Sequence, residues 1–123
     1  MSKVTRFEDL MCWQASRKLV KEVYTLSDQG RLAKDFDTKS QFKRAALSCM
    51  NNIAEGFGKF STKEFIRYLD ISQSSALEVK SMLYVLFDMN YLEEDKINEL
   101  HKLIDDTRNL TLGFIRYLRT TEK

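Results

Sequence analysis

The chain has 123 residues, with 20 Lys and Arg against 18 Asp and Glu, a net charge of +2, four glycines and no proline. That length holds one core and excludes a multi-domain assembly, while so few chain-breakers exclude a many-turned β fold and favour long helices. No apolar run approaches the ~20 residues that cross a bilayer, and the opening residues lack the apolar region of a secretory signal, so a cytoplasmic protein with no membrane partner is expected.

Thr5, Arg6, Phe7 and Glu8 fit a capping box, which predicts a first helix over about 6–28. Cys12, Ala15, Leu19, Val23 and Leu26 make one apolar stripe on it, and Trp13, Val20 and Tyr24 make a second. Gly30 lies just past its end. A polar connector follows, with Leu32 and Phe36 as expected anchors. The second helix is predicted over about 38–57, stopping at Gly58. Ser61 and Glu64 bracket another capping box, opening a third helix over about 62–90. Its apolar row is Phe65, Leu69, Ser72, Ala76, Val79, Leu83 and Leu86. Tyr91 and Leu92 are expected to plug the next turn. A last helix, over about 94–119, carries Ile97, Leu100, Ile104, Thr111, Phe114 and Leu118, with Leu103, Leu110 and Tyr117 on the adjoining row. Four amphipathic helices with short connections predict an all-α, up-down-up-down bundle in a single domain over 1–123.

The second helix is unusual. Gln41, Ala45, Ser48, Asn52 and Glu55 recur at helical spacing, so they form one small or polar stripe. Phe42, Ala46, Cys49, Ile53 and Phe57 run beside it, and Leu47, Met50 and Ala54 extend the apolar surface around the far side. A surface helix ordinarily sets one apolar face against a charged one. Uncharged polar groups hemmed in by apolar rows predict burial against another helix or another subunit, with each polar group bonded. Two apolar stripes on the first helix exceed what one bundle needs, which points to a subunit interface.

A short second turn makes the second and third helices antiparallel, so residues that face each other keep a constant sum of residue numbers. Arg44 with Glu78 and Glu55 with Arg67 share one sum, which predicts one or both as ion pairs, with Ser75 and Asn52 bonding nearby. As surface pairs they are worth only about 0–1 kcal/mol each. Asp9, Trp13, Gln14, Gln41, Arg44, Ser48, Asn52, Glu55, Arg67, Ser75 and Glu78 are the candidate interface residues.

Charge is segregated along the chain. Residues 1–67 carry 13 basic and 8 acidic side chains, 68–107 carry 3 and 9, and 108–123 carry 4 and 1. In an up-down-up-down bundle one pole collects Lys3, Arg6, Lys59, Lys63, Arg67, Arg116, Arg119 and Lys123. The other collects Asp28, Asp35, Asp37, Asp88, Glu93, Glu94 and Asp95. Lys59 and Lys63 stand at a helix N-terminus, where the dipole disfavours cations, while Arg116 and Arg119 suit a C-terminus. A ring of basic poles would hold phosphates without reading sequence, and Phe57, Phe60 and Tyr117 lie near enough to offer stacking.

The block from Phe7 to Leu10 with Trp13 and Gln14, then Gln41, Arg44 to Ala46, Ser48, Asn52 to Gly56, Ser61, Glu64 and Phe65, and finally Ser75 and Glu78, resembles a bacterial family of four-helix bundle proteins. Its founding members are encoded in intervening sequences of 23S ribosomal RNA genes. The similarity covers Phe7 to Leu92, with the Asn52–Gly56 run its most specific part. It implies a left-handed bundle assembling as a homopentamer. A distant branch, the accessory proteins of diversity-generating retroelements, implies contact with nucleic acid and with another protein. Met50 stands where many members have proline, Lys59 where arginine is usual, and Ser72 to Ser74 where an Ala-x-Gly is common. Loss of the proline predicts a straighter second helix.

The expected function is therefore a non-enzymatic homo-oligomer serving protein interaction or scaffolding, the alternative being an oligomer that binds RNA or DNA through its basic pole. Neither a cofactor nor a metal is expected. A carboxylate metal site in a bundle needs Glu-x-x-His on two helices, whereas His101 is the single histidine and Asn98 stands three residues before it. Glu55 and Glu78 have Arg44 and Arg67 as simpler partners than a metal. Cys12 and Cys49 read as core thiols in a reducing compartment.

Overall fold

Four long amphipathic rows with no proline to interrupt them become four helices. A computed structural model of the protein describes residues 4–121, so Lys3 and Lys123 of the expected basic pole lie outside the described residues. The helices are α1 (Met11–Ser27), α2 (Phe36–Phe57), α3 (Thr62–Asp88) and α4 (Glu94–Thr121), with no strand among the described residues. Each packs against the next, and α4 closes back on α1, as an up-down-up-down bundle requires.

The capping box at Thr5 does not form. Phe7–Asp9 make a single 3-10 turn, Leu10 is extended (φ −76°, ψ 128°), and α1 starts only at Met11. Two things draw the chain out of helix here. Leu10 is buried beneath the end of the bundle, and the Arg6 guanidinium lies 3.8 Å from Glu8 and 3.5 Å from Asp9. The freed Glu8 carbonyl accepts instead from the Gln14 side-chain amide at 3.0 Å.

At the opposite pole the connections are fixed by directional bonds. Leu32 is fully buried, as expected, but Phe36 is 71% exposed and no anchor. The first turn of α2 carries it outward, where Lys39 lies 4.9 Å over its ring. Helix α2 begins two residues earlier than the sequence predicts because Asp35 caps it, accepting from the Thr38 N–H at 3.1 Å. The other Asp35 oxygen accepts from the Tyr91 hydroxyl at 3.0 Å. Bonds from Thr38, then from Tyr91, hold the Asp35 carboxyl below the usual carboxylate range.

Helix α3 ends in a Schellman motif, with Asn90 left-handed (φ 57°), Tyr91 N–H donating to Leu86 at 2.9 Å and Asn90 N–H to Phe87 at 3.0 Å. Arg31 donates to the freed carbonyls of Met89 and Asn90 at 2.9 and 2.8 Å. At the other turn, Ser61 caps α3 by accepting from Glu64 N–H at 3.1 Å, as the sequence predicts.

The core divides in two. One cluster gathers Leu19, Val23, Phe42, Val79, Leu83, Leu100 and Ile104 toward the acidic pole. The other joins Leu10, Cys12, Ile53, Leu69 and Ile115 toward the basic pole. Between them lie the buried hydroxyls of Ser16, Ser72, Thr107 and Thr111. Ser16, Thr107 and Thr111 donate to carbonyls four residues back on their own helices. Ser72 crosses to the Cys49 carbonyl of α2 at 2.7 Å. Burial of each large side chain contributes about 1.5–3 kcal/mol, against about 0–1 for an exposed ion pair, so this core dominates stability.

Helix α4 is turned slightly from the expected row, and Thr107 and Ile115 face the core while Phe114 and Leu118 are half-buried. Near its end the spacing shifts from Thr111 to Ile115, which keeps the helix facing α1 and α3. Gly56 stands in the last turn of α2, its carbonyl accepting from the Lys59 N–H at 3.0 Å. It is buried inside α2, and a Cβ there would sit 2.6 Å from the Tyr68 Cβ of α3.

Three outcomes follow from this packing. Gly56→Ala should cost about 1–3 kcal/mol in urea unfolding, whereas Gly113→Ala, whose Cβ would meet nothing nearer than 3.6 Å, should gain about 0.4–1 kcal/mol. Asp35 has a lower pKa folded than unfolded, so its contribution is present above the unfolded value and is lost as pH falls through the folded one. The unfolding midpoints of wild type and Asp35→Ala should thus differ at neutral pH and converge as pH drops below about 4. Burial pushes the Cys12 thiol up to about 11 and the Cys49 thiol to about 12. Both should resist a disulfide reagent at pH 8 until denaturant is added, when two thiols react.

Candidate functional site

The antiparallel register of α2 and α3 is the one the sequence predicts. Ser48 and Ser75 hydroxyls meet at 2.7 Å across the seam. The Asn52 side-chain amide donates to the Ser48 carbonyl at 2.8 Å and to its hydroxyl at 2.9 Å. Together they form a three-residue polar clasp, half-buried at the outer lip of the seam.

Ala45 is buried, but the two ends of the stripe are not shielded. Gln41, Arg44 and Glu55 are exposed, because the core row of Phe42, Ala46, Cys49 and Ile53 sits around the helix from them. Neither expected ion pair forms. Arg67 turns to Glu64 on its own helix at 3.2 Å, and its guanidinium lies 4.8 Å from the Tyr68 ring. A partner three residues away in the same helix needs less ordering of two long side chains than a partner across a seam. That contact raises the Arg67 pKa and lowers that of Glu64. Arg44, Glu55 and Glu78 are exposed and take part in none of the ion pairs among the described residues.

The candidate residues therefore fall in two places. Gln41, Arg44, Ser48, Asn52, Glu55, Arg67, Ser75 and Glu78 lie along α2 and α3. Asp9, Trp13 and Gln14 lie at the start of α1, where Trp13 packs edge-on to Phe7 at 5.2 Å and beneath the Arg17 guanidinium at 5.7 Å.

The ends of α1 through α4 meet at the basic pole through an aromatic chain. Ring contacts run Trp13–Phe7–Phe57–Phe65–Phe114–Tyr117, with separations from 5.2 to 6.4 Å. Phe57 is half-buried within this packing. Phe60 is fully exposed, and Tyr117 stacks on Phe114. Around them, Arg6 and Arg67 are neutralised by carboxylates. Lys59 lies 5.1 Å from the Tyr68 ring, while Lys63, Arg116 and Arg119 are exposed.

His101 is half-buried against Tyr84, ring centroids 5.1 Å apart, with its Nδ1 buried and unbonded. Burial first, then the nearby Lys80 charge, lowers its pKa. No three His, Cys, Asp or Glu side chains gather as a metal site among the described residues, nor is any helix among them long and apolar enough to cross a membrane. Sequence reading missed two features here: the uncovered apolar outer face of α3, including Leu77, Tyr84 and Val85, and the cations over aromatic rings on α1 and α2. Their signals were apolar Leu77, Tyr84 and Val85 lying off the core row of α3, and the helical spacing of Trp13, Arg17, Val20 and Tyr24.

No curated protein matches the chain. Among solved structures, the bundle is similar to a crystal structure of a protein of unknown function from the S23 ribosomal protein family of Bacteroides thetaiotaomicron VPI-5482. The TM-score is 0.79 at 20% identity, over 85% of this chain and 95% of that one. The family model for the 23S rRNA-intervening sequence protein matches residues 8–113. With the four-helix architecture in place and most of its length within that match, this chain belongs to the 23S rRNA-intervening sequence protein family.

Proposed function

We propose that this protein works without catalysis, as a self-associating bundle that scaffolds another protein. Five copies per assembly is the number that the resemblance to its family implies. One observation carries the reading: the outer α2–α3 face places a bonded Ser48–Asn52–Ser75 clasp among exposed groups without an ion pair, Arg44, Glu55 and Glu78. Beside them stand apolar side chains that no helix of the same chain covers, among them Ile71 and Val85. Fixed polar geometry surrounded by uncovered apolar area is the composition of a surface built to meet a protein.

A second reading, nucleic-acid contact at the basic pole, is supported by exposed Phe60 beside Lys63. The ion pairs of Arg6 and Arg67 count against it, since they leave fewer cations free for phosphates.

One set of solution measurements tests both. Light scattering on the full chain at tens of micromolar should give a mass at least twice 14.5 kDa, and a one-chain mass overturns self-association. Structured RNA and single-stranded DNA, titrated from about 50 mM salt upward, should bind only if the basic pole acts on phosphates. Salt-dependent binding abolished by Lys59→Ala with Lys63→Ala would transfer the assignment to the second reading.

A further inference from the structure

We infer that copies of this chain join through two different faces, the groove between α1 and α2 of one copy receiving the outer ridge of α3 of the next. This rests on the self-association proposed above and adds which surfaces meet.

The groove is read from two rows of equal spacing. On α1, Trp13, Arg17, Val20 and Tyr24 recur at intervals of four, three and four, and on α2 Lys43, Leu47, Met50 and Ala54 do the same. Lys43 lies 4.7 Å over the Tyr24 ring, which sets the two rows opposite each other in antiparallel register. Trp13, Val20, Leu47 and Met50 are only half-buried, so the floor is apolar and open. The rim is cationic. Arg17, Lys21 and Lys43 have no carboxylate partner among the ion pairs of the described residues, and two of the three rest on aromatic rings.

The outer ridge of α3 has the opposite character. Leu77, Tyr84 and Val85 are 43–58% exposed. The acidic side chains among them, Asp70, Glu78 and Asp88, are exposed and have no cation partner among the same ion pairs. The neighbouring cations are already engaged, Arg67 with Glu64 and Lys80 with Asp105 at 2.9 Å. Helix α3 packs on α2 and α4, with α1 across the bundle, so ridge and groove of one molecule cannot cover each other.

Charge complementarity selects the occupant. A two-fold contact of groove on groove would set Arg17, Lys21 and Lys43 against their own copies, and ridge on ridge would do the same with carboxylates. A polyanion could fill the groove but would leave the acidic apolar ridge uncovered. Another copy of the chain covers both. Such head-to-tail contact leaves one groove and one ridge free at each end, and only closure into a ring removes them.

The test uses two reversed full-length variants, Arg17→Glu with Lys43→Glu in the groove, and Asp70→Lys with Glu78→Lys on the ridge. Each variant alone should fall to a single chain by light scattering at concentrations where wild type is assembled, with dissociation at least roughly tenfold easier. Mixed in equal amounts, the two should associate again into species of two or more chains, because each retains the face the other lacks and the two reversed faces are themselves opposite in charge. Should reversal of Lys43 disturb folding by circular dichroism, Arg17→Glu with Lys21→Glu carries the same test. Either variant keeping the wild-type mass, or a mixture that stays monomeric, overturns the head-to-tail contact while leaving self-association standing. A monomeric wild type overturns both.

Discussion

The close approach of α2 and α3 governs the rest of the molecule. Where Gly56 meets the Cβ of Tyr68 there is no room for a side chain. Ser72 can then reach the Cys49 carbonyl, and Ser48 can reach Ser75, only because the backbones have come together. Small residues at Ala45, Ser48 and Gly56 make the approach possible, and the bonds across it set the register. The pairing of side chains across the seam depends on that register, because a slip along it would carry Ser48 past Ser75. Hydroxyl-to-hydroxyl and hydroxyl-to-carbonyl bonds are individually worth about 1 kcal/mol. Their larger effect is to make alternative registers costly, since each would leave partly buried polar atoms unbonded.

The two ends of the bundle are closed by different physics. At the acidic pole Arg31, Asp35, Asn90 and Tyr91 form directional bonds that cap one helix, terminate another and tie their connections together. At the basic pole, beside the Ser61 cap and the Gln14 bond to the Glu8 carbonyl, the helix ends are joined by edge-to-face rings, attractive over a range of angles and carrying little directional information. The first kind of closure specifies one geometry, whereas the second tolerates small shifts of the helix ends, among them the start of α1 and the end of α4.

Much of the fold was legible because its signals were local and redundant. Period, chain length and the absence of proline place four helices, and the short turn at Ser61 makes α2 and α3 antiparallel neighbours. The ion pairs were not legible, because residue sums say which backbones are opposite and nothing of where a long side chain turns. Arg67 had Glu64 one turn away and took it. The start of α1 failed for a related reason: the capping pattern at Thr5 is a local preference, overridden by burial of Leu10. Phe36 was assigned inward by hydrophobicity alone, but the Asp35 cap set the phase of α2 and carried it out. The polar stripe was legible as a pattern, though its depth was not, since spacing along one helix does not say how far the neighbouring helix reaches: Ser48 and Asn52 are half-buried while Glu55 is exposed.

The layer of buried hydroxyls between the two apolar clusters has a bearing on how the sequence can drift. Ser16, Thr107 and Thr111 each donate a hydrogen bond to the backbone of their own helix, and those carbonyls keep their helical bonds if the hydroxyl is exchanged for a methyl group. Exchange at Ser16 or Thr107 therefore breaks no bond between helices, and its cost is set by how the new side chain fits the packed core. Ser72 differs, because its hydroxyl is shared with another helix. Ser72, bonded to α2, and Thr111, whose hydroxyl also meets the Cys12 thiol of α1, both record a relationship between separate parts of the molecule.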